Sequence, residues 1–216
     1  FVGAGGIQAG RGLVEQQHLG TAGQRRSHRN PEALAAGQRL RRDIDEADAE
    51  IEVQPMTAPP DWVDASAWTT LASPQVHGDN FDWLHQRGVS RATPALDAFL
   101  RERGIVKCDD PMTTLRRLNR ALFEAFAYTP EATEVDSPID IALKKRKGVC
   151  QDFAHVMLAT ARAWGIPARY VSGYLFTKRD AGDRSAADAT HAWVEAYVPP
   201  CGWVGFDPTN NVLAGE

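Results

Sequence analysis

A change of apolar period at Gly165-Ile166-Pro167 constrains this chain more than any other feature. Ahead of it, large apolar residues recur every three to four positions, as on one face of a helix. Behind it they alternate, as on the two faces of a strand. Three X-Pro pairs punctuate the helical part, each with a side chain that can cap and a proline suited to the first helical turn. Thr93-Pro94 predicts a helix to about Arg103, ended by Gly104. Asp110-Pro111 predicts a second, with Leu115, Leu118, Leu122, Phe123 and Phe126 at helical spacing. Ser137-Pro138 predicts a short third one through Leu143, running into Lys144-Lys145-Arg146-Lys147-Gly148. Cys150 opens the next helix, which carries Phe153, Met157, Thr160 or Ala161, and Trp164 on one stripe.

The alternating part predicts strands over Ala168–Leu175 and Thr190–Val198, a turn at Pro199-Pro200-Cys201-Gly202, and a returning strand over Trp203–Phe206. Ala192, Val194, Ala196 and Val198 form the apolar set, expected to face the core. His191, Trp193, Glu195 and Tyr197 lie on the opposite, polar-alternating face. Helices first and an antiparallel sheet after them define an α+β fold.

Residues 1–48 read differently. They hold eight of the eighteen glycines and no Trp, Tyr, Lys or Cys, and their arginines follow no apolar period. A helix over 32–48, capped by Asn30 with Pro31 at its first position, is the one element expected there. The rest lacks the large apolar side chains that would offset its ordering entropy. Across the chain, 24 Lys and Arg against 28 Asp and Glu give a net charge of −4, which removes the electrostatic case for a general nucleic-acid binder. No run approaches the ~20 apolar residues of a membrane span.

The three cysteines, Cys108, Cys150 and Cys201, form neither a disulfide framework nor a CxxC metal knuckle. Cys150 stands apart because it starts a helix, where free N–H groups and the helix dipole favour thiolate over thiol and can hold a developing oxyanion. A thiolate needs a base, and the base needs a third group to fix its tautomer. His191 and Asp207 could supply those roles. Singly, each has a plainer reading: a small buried thiol, a partly buried histidine, a turn cap at Asp-Pro-Thr-Asn. A hairpin centred on Pro199 would set His191 directly opposite Asp207. A centre slightly later, as the Pro199–Gly202 turn suggests, would require a bulge or a diagonal contact.

The wording of the motifs narrows this. Gly148-Val149-Cys150-Gln151-Asp152-Phe153-Ala154-His155 resembles the nucleophile motif of the transglutaminase-like superfamily, in its bacterial cysteine-protease branch. The run from Ala163-Trp164-Gly165-Ile166-Pro167 to Gly173-Tyr174 is similar to that family's next stretch. Thr190-His191-Ala192-Trp193-Val194-Glu195 resembles its histidine strand, and Trp203-Val204-Gly205-Phe206-Asp207-Pro208-Thr209-Asn210 its aspartate strand. The resemblance is specific over residues 140–213, loose over 80–139 and absent over 1–48.

That resemblance implies a papain-like α+β fold with Cys150 as nucleophile, His191 as base and then acid, and Asp207 as its orienter. It implies attack on a peptide or carboxamide carbonyl, a thioester intermediate, and release to water or an amine, with peptidase action the first reading. The implied partner is a peptide or protein substrate, and no metal or organic cofactor follows. The expected organisation is a poorly ordered leader over 1–48, a linker and extended segment over 49–79, and the catalytic domain over 80–216. The chain begins with Phe and stops nine residues past Asp207, so both ends read as truncated. Relatives of this branch carry a β-rich domain ahead of the catalytic one, and none is visible here. A non-catalytic interaction domain on the same fold and a metal site using Cys150 and His191 are the competing readings. Asp152, His155, Gln151 and Tyr128 are expected to serve locally, and Cys108 and Cys201 carry no assigned role.

Overall fold

The computed structural model describes residues 58–134, 136–175 and 190–214, together with the backbone of three short strands nearer the start. These strands are β1 (Gln8–Ala9), β2 (Leu13–Glu15) and β3 (Gln54–Pro55), with β1 and β3 paired in parallel. The helix expected over 32–48 and the loop 177–189 lie outside the described residues.

Side-chain caps set several of the helix starts. In α1 (Ser66–Leu71) and α2 (Pro74–Asp79), the Ser73 hydroxyl accepts a hydrogen bond from the Val76 N–H and Pro74 fills the first turn of α2. Part of the segment expected as linker and extended chain, 49–79, is therefore helical. Val63, Ala67 and Leu71 recur four apart and are buried in the main core, which among the described residues reaches back to Val63. The short α3 (Phe81–Leu84) follows, then α4 (Pro94–Glu102), whose start is held by Thr93 Oγ1 accepting from the Leu96 N–H. The α4 helix closes into Gly104 at φ +62°, a left-handed position that suits glycine.

In α5 (Pro111–Ala125), Asp110 Oδ1 accepts from the N–H of Thr113 at 2.9 Å and from the distant Val63 N–H at 3.2 Å. One carboxylate thus caps a helix and ties the first core segment to it. The α6 helix (Ile139–Lys145) begins one residue later than the Ser-Pro pattern suggests, with Pro138 as its N-cap. The two-residue strands β4 (Ala127–Tyr128) and β5 (Lys147–Gly148) pair in parallel and deliver the chain to the next helix.

That helix, α7 (Cys150–Ala163), is the centre of the molecule. Every residue from Asp152 to Ala161 except His155 is buried, so the expected single stripe is in fact a helix covered nearly all round. It packs on the sheet and against α5 and α6. The sheet has the strand order β2-β6-β7-β8-β9, with β6 (Ala168–Leu175), β7 (Thr190–Val198), β8 (Gly202–Asp207) and β9 (Val212–Leu213), all neighbours antiparallel. The result is a mixed α+β fold with helices preceding an antiparallel sheet.

The expectation that β7 turns a polar face outward is not met. His191, Trp193 and Glu195 are 1%, 2% and 3% exposed. Alternation identifies which residues share a face, but not what covers it. Here Val171 and Ala214 pack with Trp193 in a second apolar cluster, while Ala192, Val194, Ala196 and Val198 join the main core. Glu195 tolerates burial because Arg169, its register partner on β6, donates to it from Nε at 2.7 Å and lies over the Trp203 ring at 4.5 Å.

Candidate active site

The start of α7 is built by its own sequence. The Asp152 N–H donates to the Val149 carbonyl at 2.9 Å, and Asp152 Oδ2 accepts from the Val149 N–H at 2.8 Å, closing the first turn reciprocally. Thr133 Oγ1 donates to the same carboxylate oxygen and lines a neighbouring cavity of about 510 Å³. A side chain at Gly148 would place its Cβ 2.6 Å from Asp152 Oδ2, so the residue two before Cys150 has to be glycine for this cap to form. On the other side, the Thr129 N–H donates to the Gly148 carbonyl at 2.8 Å, which extends the β4–β5 pairing. These contacts leave Cys150 half-buried at the first position of the helix, at its positive end.

His191 is carried by β7 opposite Gly173 of β6. Its Nε2 lies 2.9 Å from Asp207 Oδ2, and the ring hydrogen-bonds the Cys150 side chain on its remaining side. With Nε2 committed to the carboxylate, Nδ1 is the nitrogen left for the sulfur. Burial alone would push the imidazole toward neutrality. The hydrogen bonds to Asp207 and Cys150, with the negative charge on both, outweigh it and raise the His191 pKa to about 10.

Asp207 is fully buried at the end of β8 and its carboxylate is saturated. Oδ1 accepts from the N–H of Thr209 at 2.9 Å and of Asn210 at 3.3 Å, and Oδ2 accepts from Asn210 Nδ2 at 2.8 Å besides His191. The turn-cap reading of Asp207 and the base-orienting geometry are therefore the same set of contacts. All three side chains singled out in the sequence meet at one place.

The flanking residues have local partners. Asp152 is the helix cap just described. Tyr128 belongs to β4 and packs on the core. His155 lies with its ring 5.2 Å from that of Tyr170 and is held below the usual histidine pKa by burial, partly offset by the charge of Asp152. Tyr170, a third exposed, has its phenol pushed up to about 12 by partial burial and the charges of Cys150 and Asp152. That aromatic contact has no signal in the sequence, because it depends on how β6 lies along α7. Cys108 lines a separate cavity of about 420 Å³, and Cys201 is exposed. Among the described residues no three or more His, Cys, Asp and Glu side chains gather as a metal site, and no helix is long and apolar enough to cross a membrane.

Fold and site together define an α+β domain in which a cysteine at a helix start faces a histidine–carboxylate pair on an antiparallel sheet. The chain belongs to the transglutaminase-like superfamily, whose family model matches residues 99–208, just over half of it. It is 39% identical over 150 residues to an uncharacterized protein of Mycobacterium leprae, covering 69% of this chain and 52% of that one. It is 41% identical over 106 residues to the protein-glutamine gamma-glutamyltransferase of Pseudomonas aeruginosa, covering 44% of this chain and 15% of that one. Among solved structures, a "putative cysteine protease" from Cytophaga hutchinsonii superposes with a TM-score of 0.52 at 27% identity, over 65% of this chain and 46% of that one. The chain thus spans about half the length of the Mycobacterium leprae relative or less of the others.

Proposed function

We propose that this domain is a thiol-dependent hydrolase or acyl transferase acting on peptide or carboxamide bonds, on a papain-like variant of its α+β fold. The observation that carries the reading is His191 held on both sides, by Asp207 at 2.9 Å on Nε2 and by the Cys150 side chain on the other face. With the proton that the pair shares resting on His191, the Cys150 sulfur attacks the carbonyl carbon as the thiolate. The oxyanion that forms is met by the N–H groups at the start of α7. His191 then returns the proton to the leaving amine or ammonia as the C–N bond breaks, leaving a thioester on Cys150. Water or an amine, deprotonated by the now neutral His191, attacks the thioester and releases acid or new amide together with the thiol. Asp207 keeps the ring oriented throughout.

Peptidase action is the first reading, supported by the structural neighbour's name. Transfer to an amine is supported by the likeness to a protein-glutamine gamma-glutamyltransferase over part of its length. The test is incubation of the full chain with a library of peptides containing glutamine, with and without a primary amine, read by mass. Backbone cleavage identifies a peptidase. A 1 Da gain at glutamine identifies deamidation, and an amine-sized adduct identifies transfer. No product from any peptide, beside unchanged partner binding in Cys150→Ala, would replace the proposal with the interaction-domain reading.

A further inference from the structure

The turn behind Asp207 rests on a residue that the helical pattern would assign to the core. Asn119 sits on the buried face of α5, among Met112, Leu115, Leu118 and Leu122, and is 3% exposed. An amide on such a face costs free energy that a leucine there would not, because its polar atoms leave water. Its Nδ2 donates to Asn211 Oδ1 at 3.4 Å, while among the described residues its buried Oδ1 has no partner, nor has the hydroxyl of the fully buried Thr209. Asn211 is exposed and left-handed, at φ +55°. It directly follows Asn210, which gives both its backbone N–H and its side-chain amide to Asp207. The 208–211 turn is therefore gripped from one side by the Asp207 carboxylate and from the other by a buried amide of α5.

We propose that Asn119 is a positioning residue of this site: it fixes the 208–211 turn, and through it the Asp207 carboxylate and the His191 ring that faces Cys150. The proposal deepens the triad reading above and rests on it for its catalytic meaning. It accounts for the placement of a buried amide in an apolar row, which packing alone does not.

The test uses two variants of the full chain, Asn119→Leu and Asn211→Gly. The first replaces the amide with the side chain its neighbours would favour. The second removes the acceptor at an exposed position whose left-handed backbone glycine adopts freely. The readouts are the downfield proton resonance of the His191 Nε2–H shared with Asp207, the rate of Cys150 alkylation, and the unfolding midpoint of the same samples. The expected result is loss or an upfield shift of that resonance in both variants. Alkylation should be slower by roughly tenfold, the order expected when one orienting hydrogen bond is lost, while the protein stays folded. An unchanged resonance and rate in folded Asn211→Gly overturns the proposal, even where Asn119→Leu fails to fold. A resonance that responds while wild-type alkylation proves independent of His191 leaves Asn119 as the positioner but removes the triad reading. Absence of the resonance from the wild type overturns both.

Discussion

Asp207 and His191 meet diagonally across β7 and β8 rather than face to face. The register Val194↔Phe206, continued by one residue, sets Asp207 level with Trp193, two positions along the strand from His191. The carboxylate still closes to 2.9 Å because both side chains lie on one face of the sheet, and the turn that follows aims Asp207 back along it.

That contact makes the thiol's reactivity depend on the carboxylate. Iodoacetamide in limiting amount at pH 7 is expected to modify Cys150 ahead of Cys108 and Cys201. His191→Ala should lower the Cys150 rate by on the order of a hundredfold, in the range of general-base effects. Asp207→Asn should lower it less. Peptide mapping measures all three sites at once, and equal labelling of the three cysteines would count against the site.

The His191 pKa also sets a direction for stability. A histidine raised from its ordinary 6.5 to about 10 contributes stabilisation that is complete below pH 6.5 and lost as pH rises through 10. The stability advantage of wild type over His191→Gln should therefore shrink from pH 6.5 to pH 10. Urea midpoints across that range measure it, and an advantage that grows with pH would contradict the charged-histidine assignment.

Two glycines provide a paired test of the cap at α7. Gly148→Ala drives a Cβ to 2.6 Å from Asp152 Oδ2 and should cost about 1–3 kcal/mol by displacing the capping carboxylate. Gly78→Ala meets nothing within 4 Å inside α2 and should be neutral or gain about 0.5–1 kcal/mol from helix propensity. Chemical unfolding of both decides whether crowding, rather than any glycine replacement, is responsible.

Asp110 joins two segments through one oxygen. Asp110→Ala should destabilise by about 1–2 kcal/mol, at the upper end of ordinary cap losses, since the Val63 N–H loses its acceptor along with that of Thr113. Asp110→Asn, which keeps an acceptor oxygen, should restore most of it. Thermal unfolding distinguishes the two.

Local chemistry carried a large share of the fold. The Thr93-Pro94 and Asp110-Pro111 pairs set their helix starts, and the alternation over 168–175 and 190–198 matched whole strands, because capping and period act over a few residues. The helices at 66–79 are harder to see locally, because they are short and only Val63, Ala67 and Leu71 mark their apolar spacing. The burial of the second face of β7 is not visible locally, because Val171 lies on another strand and Ala214 in the turn after β9.

The candidate site divides the same way. The sequence by itself determined that a cysteine begins a helix behind Gly148 and that a histidine and an aspartate sit on successive strands, since each depends on neighbours within a turn or a hairpin. Only the tertiary structure decided the diagonal register that joins His191 to Asp207, the packing of α7 that brings Cys150 against the imidazole, and the support of the Asp207 turn by Asn119. Those contacts span up to 92 residues. They are set by how the apolar faces of helix and sheet close on one another, which no local pattern encodes.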